Sequence, residues 1–232
     1  MPRAAAFFDL DRTLISGASG YHWSRSATRA GLMKRRVLIE HAYRNVRFRM
    51  RGSTDGATDR VIGQLSEIVR DQQTAAFEAL GPQVVEQVMR RVYPRAVAIA
   101  RDHQAAGRPV YIATAAAQHT VDLIAARLGF DGAIGTRLEE RDGLYTGAIE
   151  HFAYREGKAD AIRVFAQSHD IALSLSYGYS DSESDLPMLE AVGYPVAVNP
   201  DRALAAIAAE RGWEIVRFRR GRRPFAGGSP PT

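Results

Sequence analysis

Two aspartates stand one residue apart at the end of a short apolar run, Ala4-Ala5-Ala6-Phe7-Phe8-Asp9-Leu10-Asp11. An extended chain turns alternate side chains to the same side, so Asp9 and Asp11 can serve one ligand. Further along, Thr114 closes the run Pro109-Val110-Tyr111-Ile112-Ala113, Lys158 follows Gly157, and Asp181 and Asp185 lie four residues apart after another apolar stretch. Oxygen donors of this kind suit a hard divalent cation such as Mg²⁺, and the hydroxyl and the ammonium suit a phosphoryl group. Singly, each has a plainer explanation. An Asp-x-Asp or a Thr after a strand caps a helix more often than it does chemistry, and a lone helical lysine is usually solvated.

These residues matter together only if the fold brings them to one place. Residues 4 to 10 read as a buried parallel strand that delivers carboxylates at its C-terminal end. From about 20 to 105 apolar residues recur at helical spacing, as in Val61, Leu65, Ile68 and Val69, and several consecutive helices are expected. After Gly107 strands and helices alternate: a strand at 109–114, a helix at 118–128 stopped by Gly129, a strand at 132–136, then a hairpin over 136–150 turning at Asp142-Gly143. A helix at 157–168, a strand at 171–179, a helix at 184–192, a strand at 195–198, a helix at 201–211 and a strand at 213–218 complete the pattern. Such alternation predicts a Rossmann-like α/β core, a doubly wound parallel sheet, with the helical block inserted after the first strand and a small β-hairpin appended. In open sheets of this kind ligands bind beyond the carboxyl ends of the strands, where all the singled-out residues fall.

Composition bounds the remaining possibilities. The chain has 232 residues, 46% of them hydrophobic, enough for one substantial core with an insert. It has no cysteine, which excludes disulfides, thiolate metal sites and thiol nucleophiles. No run approaches the length of a transmembrane helix or a signal-peptide core, so a cytoplasmic location is expected. The net charge of +5 is concentrated in Lys34-Arg35-Arg36, in Arg44, Arg47, Arg49 and Arg51, and in a tail from Arg219. The first cluster reads as a solvated amphipathic helix; the tail, poor in apolar residues, is expected to be disordered. No nucleic-acid signature accompanies them, so no specific nucleic-acid partner is expected. The six histidines show no ligand spacing and suggest surface or cap positions.

The order and type of these residues resemble the haloacid dehalogenase superfamily, in its subfamily IB, phosphoserine-phosphatase-like branch. Asp9-Leu10-Asp11-Arg12-Thr13-Leu14 is similar to its first motif, Val110 to Thr114 to its second, and Gly157-Lys158 to its third. Gly178-Tyr179-Ser180-Asp181-Ser182-Glu183-Ser184-Asp185 is similar to its fourth. The resemblance implies a core over 1–16 and 106–218 with a helical C1-type cap over 17–105. It further implies that Asp9 takes up the phosphoryl group as an aspartyl-phosphate and that Asp11 manages the proton. Thr114 and the Ala115 amide would bind phosphoryl oxygens, and Lys158 would balance their charge. Mg²⁺ would be held by Asp9, the Asp11 carbonyl and Asp181, with Asp185 and Ser184 in support; Arg12 would reach the substrate or pair with a surface carboxylate.

The implied activity is hydrolysis of a small phosphorylated metabolite. In phosphoserine phosphatases a cap glutamate nine residues after the nucleophile helps bind the amino group, and glycines follow the second-motif hydroxyl. Here Ala18 and Ala115-Ala116-Ala117 stand in those places, which disfavours phosphoserine. Two other readings use the same residues: a phosphotransferase or mutase sharing the aspartyl-phosphate, and a non-catalytic module that binds anions.

Overall fold

The computed structural model describes residues 2–33 and 56–218. The basic cluster from Lys34 to Arg51 and the tail from Arg219 lie outside the described residues, and so do the expectations placed on them. The strands β1 (Ala6–Phe8), β2 (Val110–Ala117), β3 (Gly132–Arg141), β4 (Leu144–His151), β5 (Tyr177–Ser180), β6 (Tyr194–Val198) and β7 (Glu214–Val216) form a single sheet in the order β4-β3-β2-β1-β5-β6-β7. Neighbours are parallel except β3 and β4, the predicted hairpin, whose turn at Asp142-Gly143 has φ of +53° and +77°. Left-handed backbone at both central turn residues matches the right-handed strand twist.

Alternation along the strands divides the core in two. Ala6 and Phe8, with Val110, Ile112, Val196 and Val198, face one side; Ala5 and Phe7, with Tyr111, Ala113 and Ala197, face the other. Helices cover both faces: α5 (Pro94–Ala105) and α6 (Gln118–Leu128) on the first, α7 (Glu156–Ser168), α8 (Leu186–Glu190) and α9 (Arg202–Glu210) on the second. A strand buried on both faces must be apolar at every position, which explains the unbroken run before Asp9. Helices α1 (Ser19–Arg29), α2 (Gly56–Val69), α3 (Thr74–Glu78) and α4 (Gly81–Met89) also lie between β1 and β2. Among the described residues no helix is long and apolar enough to cross a membrane.

Three element boundaries differ from the periodicity, and the first is that β2 runs on to Ala117, past the end expected at Thr114. The strand expected over 171–179 begins only at Tyr177, and Leu173–Leu175 form a 3₁₀ turn. Ser176 accounts for the break: its hydroxyl donates to the Ala172 carbonyl at 2.7 Å and accepts from the Ala5 amide at 3.0 Å. Local side-chain bonds of this kind compete with a strand ladder. The helix expected over 184–192 opens as a 3₁₀ turn, and its α-helical part starts at Leu186. Pro187 then sits in the first turn, where its missing N–H leaves no bond unmade.

One histidine departs from the surface or cap position expected of it. His103 of α5 is buried behind the central strands; its Nδ1 accepts from Arg108 Nε and its Nε2 faces Tyr179 Oη, both at 2.8 Å. Tyr179 in turn stacks on Phe8, with centroids 4.2 Å apart. Burial, aided by Arg108, lowers the His103 pKa from 6.5 to about 4. Above pH 6.5 this imidazole is neutral in both folded and unfolded chains. As pH falls from 6.5 towards 4 only the unfolded chain takes up the proton, so stability is lost over that window. The difference in urea-unfolding free energy between wild type and His103→Gln should therefore shrink by roughly 3 kcal/mol from pH 7 to pH 4. A constant difference would mean that the ring takes up its proton as readily in the folded protein as in the unfolded chain.

Candidate active site

β1 is the central strand of the seven and lies between β2 and β5, so its C-terminal end opens where the chain turns from one half of the sheet to the other. Asp9 follows β1 there, its amide donating to the Tyr179 carbonyl of β5 at 2.9 Å. Thr114 lies in β2, and Asp181 follows β5. Lys158 enters from the first turn of α7 and is only 2% exposed. Its Nζ lies 2.9 Å from Asp9 Oδ1 and 2.8 Å from the Asp185 carboxylate. Residues separated by 149 positions in the chain thus form one buried ion pair.

The approach of Lys158 depends on its neighbour. A Cβ on Gly157 would overlap the Phe152 carbonyl oxygen, so only glycine lets the loop and the helix meet this closely. Arg155, just before α7, and Arg12, just after Asp11, have φ of +52° and +64°. Left-handed backbone at non-glycine residues is held only where its surroundings enforce it, and here it flanks two of the functional groups.

The remaining candidates fall into place with some differences. Asp11 accepts from the Ser19 amide at 2.7 Å, which anchors the start of α1 to the site. Arg12 pairs with Asp181 at 3.5 Å, so its partner is a buried site carboxylate and not the surface one expected. Asp185, expected to support a metal, also accepts from Ser180 Oγ at 2.7 Å while holding Lys158. The Ser184 hydroxyl donates to Ser182 Oγ at 3.0 Å. Thr114 Oγ1 accepts from the Ala116 amide at 3.3 Å, and Thr136 Oγ1 fixes the Ala115 peptide by donating to its carbonyl at 2.8 Å. Ser180, Ser19 and Thr136 escape notice in the sequence. Only Ser180, within the fourth segment and directly before Asp181, carries a positional hint.

Electrostatics make this a strained anionic site. Burial pushes the Asp9 carboxyl up to about 7 against the opposing pull of Lys158, with Asp185 and Asp11 adding repulsion. Burial and then the charge of Asp9 push Asp181 up to about 8, despite Arg12. Burial raises Asp11 as well, partly offset by the Ser19 amide. Burial works against the Lys158 ammonium, yet Asp185 and Asp9 outweigh it and hold its pKa above the ordinary lysine range. Crowded buried carboxylates with one lysine among them lack positive charge. A divalent cation would supply it, and the oxygen donors are the type that Mg²⁺ takes. Among the described residues no three carboxylate or imidazole side chains cluster as a ready metal site, so any such ion would need backbone oxygen or water besides Asp9 and Asp181.

Residues 6–190 match the haloacid dehalogenase-like hydrolase family. The chain belongs to this family. It is 38% identical over 222 residues to an "inhibition of morphological differentiation protein" of Streptomyces azureus, covering 95% of this chain and 80% of that one. It is 34% identical over 231 residues to a phosphoserine phosphatase of Mycobacterium tuberculosis, covering 98% and 75% respectively. A solved structure of a protein of unknown function from Bordetella pertussis Tohama I superposes with a TM-score of 0.79 at 32% identity, covering 93% of this chain and 99% of that one. The four segments singled out in the sequence follow one another in that order, and the fold carries Asp9, Thr114, Lys158 and Asp181 to the same end of the sheet.

Proposed function

We propose that this hydrolase is a Mg²⁺-dependent phosphatase acting on a small phosphomonoester in the cytoplasm, with Asp9 as nucleophile. The observation that carries the reading is the buried contact of Lys158 with both Asp9 and Asp185 at the strand ends. An Asp9 oxygen attacks phosphorus and the ester P–O bond breaks, while Asp11 gives its proton to the departing oxygen. The raised pKa of Asp11 favours that protonated form. Asp11, now ionised, takes a proton from water, whose oxygen attacks phosphorus and releases inorganic phosphate and free Asp9. The products are one alcohol and one phosphate, and one water is consumed.

Thr114 accepts a bond from the Ala116 amide, which leaves its hydroxyl hydrogen to donate to a phosphoryl oxygen. The Ala115 amide serves the same group. Lys158 neutralises Asp9 and the incoming phosphate, and Asp185 with Ser180 keeps the lysine in position. Asp9, Asp181 and the Asp11 carbonyl would hold Mg²⁺, which would supply positive charge between an anionic phosphate and an anionic nucleophile. Ser184 steadies the turn before α8 through Ser182, and Arg12 restrains Asp181. Of the cap expected over 17–105, helices α1 to α4 would cover the site, whereas α5 packs on the sheet with the core.

The test is phosphate release from an aryl phosphate. Turnover is expected with millimolar Mg²⁺ and loss of at least about a hundredfold in excess chelator, restored on adding Mg²⁺ back. Chelator-resistant turnover would sink the metal's role.

A further inference from the structure

A cavity of about 230 Å³ opens beside the candidate site, between the helices that follow β1 and the β3–β4 hairpin. It shares four residues with the candidate site: Ser19, whose amide holds Asp11, Ala115 and Ala116 beside Thr114, and Thr136, which fixes the Ala115 peptide. Its walls are otherwise largely apolar. Trp23, Phe77 and Tyr145 form a connected aromatic side, with centroid separations of 5.3 Å and 5.8 Å, and Leu65, Ile68 and Leu138 line it too. Its acidic and imidazole side chains, Glu78 and His119, lie 3.9 Å from one another with roughly half of each exposed, so they face each other at the rim.

We infer that the phosphomonoester carries an apolar leaving group, aryl or short alkyl, which occupies this cavity. The inference rests on the phosphatase reading and specifies its substrate class. A zwitterionic amino-acid group placed here would give up hydration against aromatic and aliphatic walls, where the one carboxylate among the described lining residues, Glu78, is half exposed and faces His119. An apolar group gains by leaving water, and aromatic walls favour a flat ring or a methylene chain.

Two measurements on the full chain with Mg²⁺ test this. In the first, kcat/KM for phenyl and hexyl phosphate should exceed that for O-phosphoserine by about a hundredfold, the scale on which an apolar pocket discriminates. In the second, binding without turnover is followed by Trp23 fluorescence in a Trp213→Phe background. Hexylphosphonate should bind at least about tenfold more tightly than methylphosphonate, and Leu138→Asp should bring that ratio close to one. Should the aspartate variant not fold, the unsubstituted cavity's ratio still decides. Phosphoserine turned over as well as the apolar esters, or equal affinity for the two phosphonates, overturns the substrate class and leaves the phosphatase standing. No phosphate released from any phosphomonoester, or from the acyl phosphate acetyl phosphate, overturns the phosphatase and with it this inference.

Discussion

Asp9→Asn should abolish Mg²⁺-dependent phosphate release, lowering kcat by at least ~10³-fold, the scale on which loss of a nucleophile is felt. The amide has nearly the same shape as the carboxylate but cannot attack phosphorus. It also removes a buried carboxylate that is crowded by Asp11 and Asp185 as well as held by Lys158. The variant should therefore still unfold cooperatively, which separates lost chemistry from lost structure. A second readout follows the covalent step. Acid-quenched wild-type enzyme should carry an acyl phosphate that hydroxylamine cleaves, and the Asn variant should carry none. Retained turnover in Asp9→Asn would remove the aspartyl-phosphate mechanism.

Lys158→Met should damage both the fold and the rate. The methionine fills a similar volume but leaves Asp9 and Asp185 without the cation that lies 2.9 Å and 2.8 Å from them. Breaking a buried pair from one side typically costs roughly 3–5 kcal/mol, because the stranded charges must be carried uncompensated or take up protons. Protonated Asp9 is also no nucleophile, so kcat should fall at least about a hundredfold even where the variant is fully folded. Urea unfolding at pH 7 measures the first effect and phosphate release the second. Raising Mg²⁺ should recover part of the stability, since a second cation can neutralise Asp9. Wild-type stability in Lys158→Met would mean that the lysine contributes little to holding the site together.

Much of the architecture was legible in the chain because its signals are local. The apolar run before Asp9, the helix over 118–128 with Gly129 at φ +65° after it, and the Asp142-Gly143 turn are each decided by a few neighbouring residues. The break at Leu173–Leu175 was not legible, since it depends on Ser176 reaching the Ala5 amide 171 residues away. His103 gave no signal either. Its polarity predicts the surface, and only contact with Arg108 and Tyr179 makes its burial tolerable.

The same division runs through the candidate site. Which residue types are available, and their delivery to strand ends, follow from sequence, because strand alternation and chain direction place Asp9, Thr114 and Asp181 at one edge of a parallel sheet. How those groups share charge was settled by tertiary packing. A lysine that reads as solvated is buried against two carboxylates, Arg12 turns to Asp181, and an aromatic-walled cavity assembles from segments scattered between Ser19 and Tyr145. Electrostatics and cavity shape depend on distances across the chain, and no local pattern encodes those.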